Sequence, residues 1–88
     1  MKIVFDPAKD HTNTEKHGVS LAHAGHFEWD TAVVWPDERR QYGEQRQCAI
    51  GYVGVRLFVV AFADLDGSRR IISLRKANKR EERTYAEA

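Results

Sequence analysis

The chain has 88 residues and a formal net charge of +1, with 42% apolar and 31% charged residues. That length supports one hydrophobic core, so a single domain spanning 1–88 is expected. No apolar run approaches the roughly 18 residues of a membrane span, and a lone cysteine, Cys48, excludes an internal disulfide framework and any zinc site built from several thiolates.

Lys2 to Phe5 reads as a first strand. Asp6 and Pro7 cut the apolar start short, too soon for a secretory signal, which makes the cytoplasm the expected compartment. The same pair supplies an N-cap and a proline preset for a first helical turn, and Gly18 suits a helix stop, so a helix is predicted over Pro7–His17. Ser20 caps a second, shorter helix, LAHAGHF, whose Leu21, Ala24 and Phe27 recur every three residues and face the core. Asp30–Trp35 (DTAVVW) is β-branched and aromatic, a second strand ended by Pro36. PDERRQYGE, from Pro36 to Glu44, is a polar loop long enough to carry function. QRQCAIGYV and VRLFVVAFA flank Gly54 as a hairpin, DLDGS makes the next turn, and RRIISLR is the last strand. Asn78 with Glu81 three residues on is a capping-box pattern, opening a helix from Lys79 to about Glu87. The expected fold class is α+β: a small antiparallel sheet with two N-terminal helices and one C-terminal helix, the helices covering one face.

Residues 1–44 carry five Lys/Arg against eight Asp/Glu, whereas residues 45–88 carry nine against five. Within 69–83 there are five arginines and two lysines against two glutamates. Such polarity is expected of a surface that meets an anion. Strand alternation places Ile71, Ser73 and Arg75 on one face and Arg70, Ile72 and Leu74 on the other. If Ala63 sits opposite Arg70, Arg75 falls opposite Phe58, on the face that also carries Arg56. Lys76, Lys79 and Arg80 crowd the start of the last helix, where the dipole disfavours cations unless an anion visits. Arginine holds phosphate bidentately and stays charged, as phosphoryl-transfer chemistry on RNA requires. Metal-free RNA cleavage also needs a group to take the ribose 2′-OH proton and an acid for the departing 5′-oxygen; His17, Tyr85 and Glu81 are the candidates.

Other chemistries are weaker. His17, His23 and His26 invite a metal reading, but no third ligand of clear spacing follows. Cys48, beside Ala49 and Ile50, reads as a small core residue. Trp29 and Trp35 read as core or interface before base stacking. No phosphate-cradling glycine loop or GxSxG motif is present.

Five blocks then carry a family resemblance: FDPAK at 5–9, NTEKHGVSLAHAGHF at 13–27, GEQR at 43–46, the hairpin around Gly51 and Arg56, and RIISLRKANKREERTY at 70–85. Together they resemble the BrnT family of bacterial toxins, small ribonucleases of type II toxin–antitoxin systems. The resemblance implies a fold related to RelE-like microbial ribonucleases and metal-independent RNA cleavage that halts translation, with no cofactor. It also implies neutralisation by a BrnA-type ribbon-helix-helix antitoxin, in a toxin–antitoxin heterotetramer that binds operator DNA through the antitoxin. Basic cleft residues of such enzymes map onto Arg46, Arg56, Arg75 and Arg80, and His17 and Glu81 match family positions. Arg46, Arg56, Arg75, His17 and Glu81 are therefore the expected catalytic set, with Arg70, Lys76, Lys79, Arg80 and Tyr85 expected to bind substrate. Asp64 departs from the polar or basic residue many relatives carry there, which argues against the DLDGS turn as part of a positive cleft. The competing class is a non-catalytic nucleic-acid-binding or co-repressor module using the same basic surface.

Overall fold

A computed structural model describes residues 1–39 and 41–88. In chain order it has strand β1 (Lys2–Val4), helix α1 (Pro7–His17), 3₁₀ turns at Leu21–His26 and Trp29–Thr31, strands β2 (Val33–Pro36), β3 (Gln47–Val53), β4 (Arg56–Leu65) and β5 (Ser68–Lys76), and helix α2 (Lys79–Glu87). The caps read from the sequence form these ends. Asp6 accepts the Ala8 N–H, Gly18 takes a left-handed φ of 73°, and Asn78 and Glu81 complete a reciprocal capping box. The second helix is a 3₁₀ helix, the form whose three-residue period aligns Leu21, Ala24 and Phe27; all three are buried. Asp30 and Thr31 belong to a 3₁₀ turn rather than to the second strand, and Pro36 is that strand's last residue. A proline is tolerated there because β2 is an edge strand.

The sheet order is β1-β5-β4-β3-β2, with β1 parallel to β5 and the other neighbours antiparallel. The sheet is thus mixed, not wholly antiparallel, because α1 and the turns after it return the chain to the far edge before β2 begins. Helical elements also cover both faces. Leu21, Ala24 and Phe27 pack with Ala49, Phe58, Val60, Phe62, Ile71 and Leu74 on one face. On the other, Tyr85 of α2 closes over Ile50, Leu57, Val59 and Ala77.

Ala63 does pair with Arg70, as expected. A bulge then follows: Phe62 pairs with Ile71 but Ala61 with Ser73, leaving Ile72 as the extra residue. Simple alternation along β5 is overturned, since Ile71 and Leu74 now share the buried face. Arg75 consequently lies opposite Val59 rather than Phe58, and Arg56, three residues from Val59, is turned to the other side of the strand.

Gly51 on β3 lies directly under the Phe27 ring. A Cβ there would stand 2.6 Å from Phe27 Cζ and 3.0 Å from Cε2. Because that ring is buried in a packed core, Gly51→Ala is expected to destabilise the protein by about 1–3 kcal/mol. Urea unfolding of the variant checks this; an unchanged midpoint would show that the ring yields freely.

Candidate functional site

The face of the sheet bearing α2 is only partly covered, and its open part forms a cleft. Register builds the floor: Trp35, Cys48, Ala61 and Ser73 lie in one row across β2, β3, β4 and β5, and Val33, Ile50, Val59 and Arg75 in the next. Small side chains at Cys48, Ala61 and Ser73 leave a depression of about 220 Å³. One wall is Trp35 to Arg39, where the chain leaves β2, and the other is Arg75 with Glu81 of α2.

Arg75 Nη1 and Nη2 donate to the two carboxylate oxygens of Glu81 at 2.9 and 2.8 Å. Glu81 also accepts the Asn78 N–H at 2.9 Å, so one carboxylate both starts α2 and aims a strand guanidinium. That double role answers the clash of charge and dipole at this helix start. The hydrogen bonds from Arg75 hold the Glu81 carboxyl below its ordinary range, and the same bonds hold Arg75 above its own. The Arg75 side chain remains 38% exposed, and its Nε donates to no group among the described residues.

On the opposite wall Asp37 is buried and accepts Arg39 Nε and Nη2 at 2.7 and 2.8 Å and the Tyr42 hydroxyl at 3.3 Å. The Arg39 hydrogen bonds overcome burial and lower the Asp37 pKa to about 2, from an ordinary 3.8. A carboxyl depressed on folding stabilises the protein fully above its unfolded pKa and loses that contribution as pH falls through the folded one. Stability is therefore expected to drop by about 1–2 kcal/mol between pH 4 and pH 2 on this account, the mostly exposed Arg39 limiting the gain. In Asp37→Asn, measured by urea unfolding across that range, this part of the acid slope should vanish. An undiminished slope would place it elsewhere.

A second basic group lies along the same face. Arg70, opposite Ala63, and Arg46 both donate to Glu44 Oε2, Arg46 at 2.9 Å, and the Arg46 guanidinium lies 4.0 Å over the Tyr42 ring. Their hydrogen bonds and charge pull the Glu44 carboxyl down. By contrast Arg69 faces the other way, stacked over Trp29 and Phe62 and paired with Asp64. Asp64 thus serves the far face, in keeping with the expectation that this turn stays out of the cleft.

Of the residues expected from sequence, Arg75 and Glu81 share the cleft, and Arg46 and Arg70 share Glu44. His17, half-buried at the end of α1, is near enough to Arg75 for that charge to help lower its pKa; burial is the larger cause and Lys16 also contributes. Arg56 donates to the Ala77 carbonyl at 3.2 Å, away from Arg75. Tyr85 packs edge-on to Tyr52 at 5.5 Å under α2. Lys76, Lys79 and Arg80 are exposed and do not line the depression. Sequence reasoning read Trp35 as core or interface and passed over Asp37 and Arg39, because PDER reads only as the start of a polar loop. Cys48 is buried as expected but at the cleft floor, its thiol pushed up chiefly by burial. Among the described residues no group of three His, Cys, Asp or Glu side chains is placed to hold a metal ion, and no helix is long and apolar enough to cross a membrane.

A shallow cleft floored by small side chains, with Arg39 on one wall and Arg75 on the other, defines a small α+β domain with an open, arginine-flanked sheet face. Residues 5–81 match the family described as ribonuclease toxin, BrnT, of type II toxin-antitoxin system. The chain belongs to the BrnT family, which carries with it an RNA target and an antitoxin partner. No curated protein matches the chain individually.

Proposed function

We propose that the whole chain acts as one RelE-like, metal-independent endoribonuclease domain in the cytoplasm, cutting RNA in the cleft between Arg75 and the Trp35–Arg39 wall. The observation that carries this reading is the Arg75–Glu81 arrangement: a guanidinium held end-on by a helix-capping carboxylate at the wall of an open cleft, with its Nε–H making no hydrogen bond among the described residues. Arg75 grips the scissile phosphate and meets the negative charge that grows on its oxygens. Arg46 and Arg70 hold a neighbouring phosphate in place of Glu44.

His17 takes the 2′-OH proton. Burial and the nearby cations hold its pKa below 6.5, so the imidazole is neutral at physiological pH and able to accept a proton. A base must be unprotonated, so cleavage should be constant near neutrality and fall as pH drops through the lowered His17 pKa. His17→Ala is expected to cut the rate by about 100-fold and to remove this acid limb. A pH–rate profile that keeps its shape in the variant would assign the base elsewhere.

The partner on this reading is a BrnA-type ribbon-helix-helix antitoxin that covers the cleft in a heterotetramer and binds operator DNA. Purified toxin should cut single-stranded RNA equally with and without EDTA, and added antitoxin should stop it. Loss of cutting in chelator would replace this reading with a metal-dependent hydrolase.

One observation favours a second reading. Arg39, Arg46, Arg70 and Arg75 each already have a carboxylate partner. A non-catalytic binding module would keep its charges so paired; it would bind RNA with steep salt dependence and leave it intact.

A further inference from the structure

The chain has two tryptophans, and packing accounts for only one. Trp29 is in ring contact with Phe27 at 4.5 Å and Phe62 at 5.1 Å, with the Arg69 guanidinium 4.6 Å over its face. Trp35 has no such partner among the described residues: neither ring nor cation meets the indole, and no acceptor meets its N–H. It is 36% exposed on an edge strand. Register nevertheless aims it with care. Trp35 pairs with Cys48 in the row that ends at Ser73, so its ring rises from the cleft floor as the wall facing Arg75.

We propose that Trp35 is a stacking platform for one unpaired base of the RNA whose phosphate Arg75 holds. The inference rests on the ribonuclease reading of the cleft and adds what kind of RNA enters it. Three strand spacings of about 4.8 Å separate the two walls, so their backbones stand roughly 14 Å apart, and both side chains reach inward over a floor too low to obstruct them. A nucleotide lying across that floor offers its phosphate to the guanidinium on β5 and its base to the indole on β2. The depression of about 220 Å³ is smaller than a drug-sized pocket and has room for one ring system.

Stacking uses the face of a base, and in a duplex both faces are already covered. The site therefore selects single-stranded RNA, and it does so with little regard to base identity, since every base has a π-face. Arg39, exposed at the same wall, supplies positive charge beside the stack.

The test uses the full chain and an uncleavable probe, a 2′-O-methyl single-stranded oligonucleotide, so that binding is read apart from cutting. Titration should quench tryptophan fluorescence in the wild type but not in Trp35→Phe, which keeps an aromatic face and should bind within about threefold of wild type. Trp35→Ala should weaken binding roughly ten- to hundredfold. A duplex of the same sequence should produce no quench. Wild-type affinity in Trp35→Ala, or equal quenching in Trp35→Phe, overturns the platform, whereas the ribonuclease reading stands or falls separately on whether the wild type cuts RNA. Unchanged RNA binding with lost antitoxin binding in Trp35→Ala assigns the ring to the protein partner instead and likewise overturns the proposal.

Discussion

Arg75→Ala is expected to reduce RNA cleavage by about 10²–10³-fold while leaving the fold intact. The size follows from what the guanidinium does: a fixed cation aimed at oxygens that gain charge in the transition state is worth about 3–4 kcal/mol when removed. The intact fold follows from where it sits. The Arg75 side chain is over a third exposed, and pairs of this kind contribute about 0–1 kcal/mol to stability. Its loss also leaves Glu81 bonded to the Asn78 N–H, so α2 keeps its cap. Arg75→Lys restores charge without the planar fork and should recover only part of the rate. Single-turnover cleavage of an end-labelled single-stranded RNA, alongside a thermal melt, separates the two effects. Cutting at the wild-type rate by a folded Arg75→Ala protein would remove β5 from the reaction.

Most of this architecture was legible because its punctuation is local. Asp6–Pro7, Gly18, Ser20 and the Asn78–Glu81 pair each act within a few residues, and the helices begin and end where those groups place them. What was not legible depends on partners distant in the chain. The bulge at Ile72 arises from how β5 must meet β4 at Phe62 and Ala61, and nothing within RIISLR announces it. That one extra residue moved Arg75, and Ser73 with it, from the side of Arg56 to the side of Cys48, and so changed which basic residues can act together. The parallel return of β1 beside β5 was hidden for the same reason. Basic residues of 69–83 read as one patch along the sequence, yet Arg69 faces the rings of Trp29 and Phe62 while Arg70 and Arg75 face the cleft. Asp37 and Arg39 escaped notice because a carboxylate buried in a polar loop differs from an exposed one only through its folded surroundings.

Asn13→Ala should be the most destabilising single change considered, by about 3 kcal/mol, with a fall in Tm of roughly 10–20 °C for a domain of this size. β1 pairs with β5 only over Ser68–Arg70, which leaves the rest of that edge without a neighbouring strand. Asn13, buried on α1, takes the strand's place. Its Oδ1 accepts the Leu74 N–H at 3.0 Å and its Nδ2 donates to the Leu74 carbonyl at 2.8 Å, as a paired strand residue would. Nδ2 also donates to the Val19 carbonyl at 2.8 Å, tying down the chain after Gly18. Alanine would leave the buried Leu74 N–H and carbonyl without their Asn13 partners, and each such group costs about 1–3 kcal/mol. Aspartate is no substitute, because a carboxylate oxygen would face two carbonyl oxygens where an amide now donates. Leu74 immediately precedes Arg75, so the same clamp sets the position of the guanidinium, and cleavage should fall even at temperatures where Asn13→Ala remains folded. Urea unfolding with assay at low temperature reads both effects; a variant melting within a few degrees of wild type would show that the β5 edge holds without its carboxamide.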